Sequence, residues 1–158
     1  MKDTPSWRIA AITVTTLIVG IDAAKDVHWA RITDWRGLNL CKPVKVNNSI
    51  DGFESLLQRI EKLKIKYSCD KVIIGMEPSG HYWRAMGWYF MLHESKPIIV
   101  GVNPFHVKQE RELDDNSPTK SDPKGALIVA HLIRGGRYFD MYLPEAEYAE
   151  FCILNGER

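Results

Sequence analysis

The run "LIVGID", residues 17–22, has the form of a short buried strand that ends in an acid. Two later runs repeat this form: "VIIGME" at 72–77 and "PIIVGVN" at 97–103. Each is a continuous stretch of mainly Ile and Val, which is typical of parallel strands covered on both faces. Each then passes through a glycine and one apolar residue to a polar residue. The three runs therefore predict the parallel part of a mixed sheet.

The segment between the first two runs predicts two antiparallel strands. They are "VHWARITDW" at 27–35 and "CKPVKVNN" at 41–48, and "RGLNL" between them indicates a turn around Gly37. Because Pro43 has no backbone N–H to donate to a ladder, we expect the third strand to lie at an edge of the sheet.

Three helices are predicted around these strands. Apolar residues recur at helical spacing over 51–66 and again over 82–93. The stretch "TKSDPKGALIVAHLIRGG", 119–136, has Asp122 where an N-cap belongs, Pro123 as the first helical residue, and Gly135-Gly136 as a stop. The resulting order β-β-β-α-β-α-β-α predicts an α/β fold of the RNase H-like class, a mixed five-stranded sheet flanked by helices.

The domain boundaries follow from the same patterns. We expect an N-terminal extension over 1–16, one RNase H-like domain over 17–140, and a tail over 141–158 that starts another helix near Pro144. A chain of 158 residues with 45% hydrophobic residues can bury one sizeable core.

Composition excludes some classes of protein and leaves others open. The net charge is +1, from 21 basic and 20 acidic side chains, so any surface for nucleic acid has to be local. The three cysteines have no CxxC spacing, which argues against a disulfide framework and a structural zinc site and favours a cytoplasmic location. The longest apolar run, 9–21, is shorter than the roughly 20 residues that span a bilayer. A signal peptide is the alternative for that run, but Asp22 and Lys25 interrupt its cleavage region.

Acids end two of the predicted parallel strands. Asp22 and Glu77 therefore lie at the same edge of the sheet, and Asp122 starts a helix that can reach that edge. Gly20 and Gly75 share their faces, and we expect the missing side chains to leave room for a ligand. Converging carboxylates need a proton or a cation between them, and oxygen ligands suit Mg²⁺ or Mn²⁺. The alternative is that each acid is only a loop residue or a helix cap.

Other polar residues give weaker signals. Ser79 has no base at a diagnostic spacing, so a turn or cap role is favoured over nucleophilic catalysis. The histidines show neither HxxxH nor HExxH spacing, and we expect the five tryptophans to pack in the core. The segment 103–124 carries residues suited to phosphate contacts, although a solvated mixed-charge loop fits it equally well. The candidates for nucleic-acid contact are Asn103, Lys108, Lys120 and Lys124.

Several motifs together resemble one family. They are "VGIDAAKDVHWA", "GMEPSGHYW", "VNPFHVKQERELDDNSPTKSDPKGALIVAHLI" and "YLPEAEYAE", which cover about residues 18–150. In these motifs the chain resembles the N-terminal catalytic domain of the DEDD transposases of the insertion sequence 110 family, relatives of the pilin-gene invertases. The resemblance implies a fold like that of the Holliday-junction resolvase RuvC. It also implies a catalytic divalent-metal site, Mg²⁺ or Mn²⁺, made by four acids, of which Asp22, Glu77 and Asp122 carry over.

The fourth acid of the family pattern falls three residues after Asp122, where this chain has Gly125. A glycine supplies no ligand, so we expect metal binding and strand cleavage to be impaired. The resemblance further implies DNA as the substrate, a structured guide RNA, homo-oligomers, and a C-terminal domain that supplies a serine nucleophile. The chain stops inside the connector to that domain, so full strand exchange by this chain alone is not expected.

Two other functions are alternatives to DNA transposition. One is a non-catalytic nucleic-acid-binding or assembly remnant of a transposase, which Gly125 favours. The other is half of a sugar-kinase or actin-like ATPase, which shares the acid after the first strand. No second glycine-rich phosphate loop follows, and this argues against the ATPase.

Overall fold

A computed structural model describes residues 6–114 and 122–141, without the side chains of residues 114, 122 and 123. The strands are β1 (Thr16–Asp22), β2 (Val27–Thr33), β3 (Val44–Asn47), β4 (Lys71–Met76), β5 (Ile98–Gly101) and β6 (Phe139–Asp140). The helices are α1 (Ser6–Ala10), α2 (Ile50–Lys66), α3 (Arg84–Leu92), α4 (Pro104–Asp114) and α5 (Asp122–Arg134).

The strands form one mixed sheet in the order β3-β2-β1-β4-β5-β6. β1 pairs with β2, and β2 with β3, in antiparallel fashion, whereas β1–β4 and β4–β5 are parallel. This is the RNase H-like arrangement that the sequence predicts, with β3 at the edge directly after Pro43. The predicted count of five strands is corrected to six, because β6 adds an antiparallel pair at β5. A strand of two residues, such as β6, is too short to show a periodic pattern of apolar residues in the sequence.

The predicted helices are present with small shifts at their ends. α2 begins one residue early, where the Ser49 hydroxyl accepts a hydrogen bond of 3.1 Å from the Gly52 N–H. α3 begins at Arg84 rather than at residue 82. α5 begins at Asp122, one residue before the predicted first helical residue Pro123, and it is followed by Gly135-Gly136 as predicted. The predicted helix near Pro144 lies outside the described residues.

Two helices were not predicted. α1 lies inside the expected N-terminal extension, and α4 occupies the first half of the segment for which a mixed-charge loop was the alternative. Asn103 caps the start of α4, because its side-chain oxygen accepts a hydrogen bond of 2.8 Å from the Phe105 N–H. Pro104 is the first residue of the helix. Val107 is a buried residue of this helix, whereas Phe105 and Leu113 are exposed, so its apolar pattern is weak. None of the described helices is long and apolar enough to cross a membrane.

The sheet has a hydrophobic cluster on each face. One contains Leu17 and Val19 of β1 with Phe53 and Leu56 of α2. The other contains Ile18 of β1, Ile73 of β4, and residues of α5, which lies across β1 and β2. The alternation of side chains along β1 therefore separates an α2 face from an α5 face.

The two strand glycines permit close packing of α5. A Cβ on Gly20 would lie 2.2 Å from the Ala126 carbonyl oxygen, and one on Gly75 would lie 2.3 Å from Ile133 Cδ1. Because the atoms that face Gly20 belong to the backbone, that position requires glycine while α5 keeps its place, whereas at Gly75 the nearest atom is the end of the Ile133 side chain. The expectation that these glycines leave room for a ligand is wrong, because α5 fills the space.

Candidate metal and nucleic-acid site

Asp22 and Glu77 lie at matching ends of neighbouring strands. Ile21 pairs with Met76 in the parallel register of β1 and β4; Asp22 is the last residue of β1, and Glu77 directly follows β4. Both acids are half-buried. Each follows by two residues a glycine whose missing side chain would point at α5, so both carboxylates belong to the α5 face. Both acids therefore lie at the same edge of the sheet.

The Asp22 carboxylate also reaches the first turn of α5. Its Oδ2 lies 2.6 Å from the point that a Cβ on Gly125 would occupy, and its Cγ lies 3.1 Å from that point. Because α5 begins at Asp122, the start of the helix and the end of β1 meet at the site. The backbone of Asp122 is thus within one helical turn of the Asp22–Gly125 contact, and its side chain lies outside the described residues.

A positive charge stands beside the same point. Arg111, near the end of α4, places its Nη2 atom 2.6 Å from the position of a Gly125 Cβ. A guanidinium and a carboxylate thus flank the position where the resemblance places the fourth acid. The sequence places Arg111 among the basic residues of the segment 103–124, but its approach to Asp22 depends on α4, a helix that was not predicted.

An aromatic residue adjoins Asp22 on the other side. Asp22 pairs with Trp29 across β1 and β2, and Trp29 pairs with Lys45 on β3. Directly paired residues share a face, so the acid, the indole and the ammonium form a row on the α5 face. Lys45 Nζ lies 5.5 Å from the centroid of the Trp29 ring. Trp29 is half-buried at this edge of the sheet, a position that composition alone does not reveal.

The tryptophan prediction is right for two residues and wrong for two others. Trp83 and Trp88 are each 7% exposed and belong to the α2-face cluster, as expected. Trp7 and Trp35 are 56% and 39% exposed, so the expectation of core packing is wrong for them. They lie in α1 and in the turn after β2, which are short local structures at the surface.

Among the described aspartates, glutamates, histidines and cysteines, no group of three could hold a metal ion. Asp22 and Glu77 supply oxygen donors of the type that Mg²⁺ and Mn²⁺ prefer. Gly125 supplies none, and the Arg111 guanidinium adds positive charge beside Asp22. The described residues therefore fit a site with fewer carboxylates than the four-acid family pattern.

The comparison with known families decides the identity of the domain. The family model of the DEDD transposases of insertion sequence 110, described as a transposase, matches residues 19–158. The chain belongs to this transposase family. No curated protein matches it in sequence.

Among solved structures, two structures of Thermus thermophilus RuvC are similar to this transposase-family chain. RuvC in complex with a Holliday junction substrate is 15% identical, with a TM-score of 0.48 over 80% of this chain and 99% of RuvC. A second Thermus thermophilus RuvC structure is 15% identical, with a TM-score of 0.47 over 79% and 99% of the two chains.

Ser79 contacts Glu77 in this transposase domain. Its hydroxyl donates a hydrogen bond of 3.0 Å to Glu77 Oε1, which fixes one carboxylate oxygen. The next residue, Gly80, has φ of +70°, and its carbonyl accepts a hydrogen bond of 3.1 Å from Trp83 Nε1. Ser79 is therefore a turn residue that orients Glu77, in line with the sequence-based preference for a turn over a nucleophile.

The candidate nucleic-acid contacts surround this edge unevenly. Lys108 is exposed on α4, and Lys124 is half-buried in the first turn of α5. Asn103 is exposed, but its side-chain oxygen caps α4. Lys120 lies outside the described residues. Nucleic-acid contact by these four residues stays a prediction.

His28 lies in the core behind the acids. It is fully buried on β2, and its Nδ1 accepts a hydrogen bond of 3.0 Å from the Ala24 N–H in the loop that follows Asp22. Burial lowers the pKa of His28 below its usual 6.5, and the nearby Asn48 side chain offsets only part of this effect. A neutral imidazole therefore holds the loop after β1.

Proposed function

We propose that this domain processes DNA during transposition or site-specific recombination. Asp22, Glu77 and Asp122 hold a divalent cation, Mg²⁺ or Mn²⁺, and are the catalytic acids. The single observation that carries this proposal is the contact between the Asp22 carboxylate and the first turn of α5, the helix that Asp122 begins. When bound, the cation supplies Lewis-acid stabilisation of charge on a phosphoryl oxygen.

The chain's own residues orient this site. Ser79 fixes one oxygen of Glu77, and the close packing of α5 on Gly20 fixes the distance between β1 and the helix. Lys108, Lys120, Lys124 and Asn103 are the proposed contacts to DNA or to a guide RNA, and the full-length protein acts as a homo-oligomer. Strand cleavage is impaired in this chain because Gly125 removes one carboxylate.

Calorimetric titration with Mn²⁺ tests the metal site. Wild type should bind the ion, and Asp22→Asn should abolish binding while keeping the size of the side chain. Asp70→Asn is a matched control, since Asp70 is an exposed acid that precedes the opposite end of β4. Binding that is unchanged in Asp22→Asn would exclude the proposed ligand.

A second candidate function is a non-catalytic nucleic-acid-binding or assembly module derived from a transposase. Gly125 and the nearby Arg111 favour it. A site that lacks one carboxylate of the family pattern and has a guanidinium beside it binds a cation less tightly. DNA binding that persists in a metal chelator, without measurable Mn²⁺ binding, would support this second function. Metal-dependent recombination of DNA by the purified 158-residue chain would contradict both the impairment and the second function.

A further inference from the structure

Two side chains of opposite charge, those of Arg111 and Asp22, border the space where a side chain at position 125 would begin. Arg111 Nη2 and Asp22 Oδ2 each lie 2.6 Å from the point where a Gly125 Cβ would be. Any side chain at position 125 would therefore overlap the end of the Arg111 side chain as it is placed. The approach of this guanidinium to Asp22 depends on glycine at 125.

Arg111 carries a permanent positive charge to a pair of half-buried acids. A guanidinium group is a planar, delocalised cation whose geometry suits pairing with a carboxylate. The neighbouring acid on α4, Glu110, forms an ion pair with Arg137. Two carboxylates at the same end of the sheet repel one another, and a nearby cation offsets this repulsion.

We propose that Arg111 is a built-in counter-cation for Asp22. It supplies positive charge at the place where the family resemblance implies a divalent ion. This inference rests on the proposed placement of the metal at Asp22. Gly125 then has two effects, since it removes a ligand and admits the guanidinium. A divalent ion then binds beside Asp22 only against the repulsion of Arg111.

One consequence is that Gly125→Asp does not by itself restore a metal site. The new carboxylate begins between Arg111 and Asp22, where it forms an ion pair with the guanidinium. Restoration requires the double change Arg111→Gln with Gly125→Asp. This distinguishes a guanidinium-blocked site from one that merely lacks a ligand.

A double-mutant cycle in metal-free buffer tests the counter-cation directly. The four proteins are wild type, Arg111→Gln, Asp22→Asn and the double variant, and the readout is Tm. Arg111→Gln should lower Tm by about 3 °C, and it should lower Tm much less in the Asp22→Asn background. Additive effects would overturn the inference. Arg111→Lys keeps the charge and should restore most of the Tm, which separates charge from packing.

Mn²⁺ titration gives a second readout. Arg111→Gln should tighten Mn²⁺ binding about tenfold, the effect of one nearby unit charge on a carboxylate. Gly125→Asp alone should gain far less than the double variant, and Lys62→Gln, an exposed charge on α2, should match wild type. An equal gain in Gly125→Asp and in the double variant would overturn the inference.

The two proposals fail in different ways. Mn²⁺ binding that does not depend on Asp22 contradicts the proposed metal site, whatever the cycle in metal-free buffer gives. Asp22-dependent Mn²⁺ binding that Arg111→Gln leaves unchanged, together with additive Tm effects, contradicts only the role of Arg111.

Discussion

Gly20 of β1 lies against Ala126 of α5 with no space for a side chain between them. A Cβ on Gly20 would come within 2.2 Å of the Ala126 carbonyl oxygen and 2.5 Å of the Ala130 nitrogen. Two residues further along β1 is Asp22, and one residue back along α5 is Gly125, so the same packing produces the Asp22–Gly125 contact. The backbone contact between strand and helix thus sets the geometry of the site.

Gly20→Ala should therefore destabilise the whole domain. The added methyl group forces α5 away from β1, and overpacking of this kind costs about 3 kcal/mol in the free energy of unfolding. Denaturant unfolding followed by circular dichroism measures it. Gly135→Ala is the control, because its Cβ would have only ordinary contacts of 3.6 Å and longer, and we expect a change within about 0.5 kcal/mol. Equal effects of the two substitutions would contradict close packing at Gly20.

The sequence was sufficient for the parallel part of the sheet because its strands are continuous apolar runs whose order is restricted by chain connectivity. It was also sufficient for Asp22 and Glu77, since neighbouring parallel strands end at one edge. It was insufficient for Arg111, whose approach to Asp22 depends on the position of α4 in space. It misread Gly20 and Gly75 as open space, because a missing side chain indicates close approach but not which group approaches.

The Asp34 side chain should stabilise the connection between β2 and β3. Its carboxylate accepts hydrogen bonds from the Arg36 and Leu38 N–H groups, at 2.9 and 3.0 Å, and pairs with the Arg36 guanidinium. Burial alone would raise the pKa of Asp34, but the hydrogen bonds from Leu38 and Arg36 outweigh it and lower that pKa. Asp34→Ala should reduce the free energy of unfolding by about 2 kcal/mol at pH 7.

The Asp34 contribution should depend on pH in a defined direction. Because the folded-state pKa lies below 3.8, the contribution is full above pH 3.8 and is lost as the pH falls through the folded-state value. Urea unfolding of wild type and Asp34→Ala should converge at acid pH. A difference that stays constant down to pH 2 would show that the carboxylate charge is not responsible.

His28 should make the domain less stable in mild acid. Its folded-state pKa lies below 6.5, so between the two values the unfolded chain binds a proton that the folded chain does not. Stability is therefore full above pH 6.5 and declines as the pH falls below it. His28→Leu should flatten this slope between pH 6.5 and pH 5, whatever its effect on absolute stability. Parallel slopes in the two proteins would exclude His28 as the group responsible.

Substitutions at Asn103, which caps α4, and at Lys108, which lies on α4, should affect different properties, namely stability and DNA binding. Asn103 caps the helix through its bond to the Phe105 N–H, so Asn103→Ala should cost about 1 kcal/mol of stability, and Asn103→Ser should retain most of it. Lys108 is exposed, and Lys108→Gln should weaken DNA binding equally for all sequences. The slope of log affinity against log salt should fall by about 1, the value for one phosphate contact.

Fluorescence anisotropy of labelled duplex DNA at several salt concentrations measures this slope. Lys62→Gln is the matched control, because it removes an exposed charge from α2, and its slope should equal that of wild type. If Lys108→Gln and Lys62→Gln lower the slope equally, the DNA responds to net charge rather than to a surface on α4. If Asn103→Ser weakens binding without loss of stability, Asn103 contacts DNA as well as capping the helix.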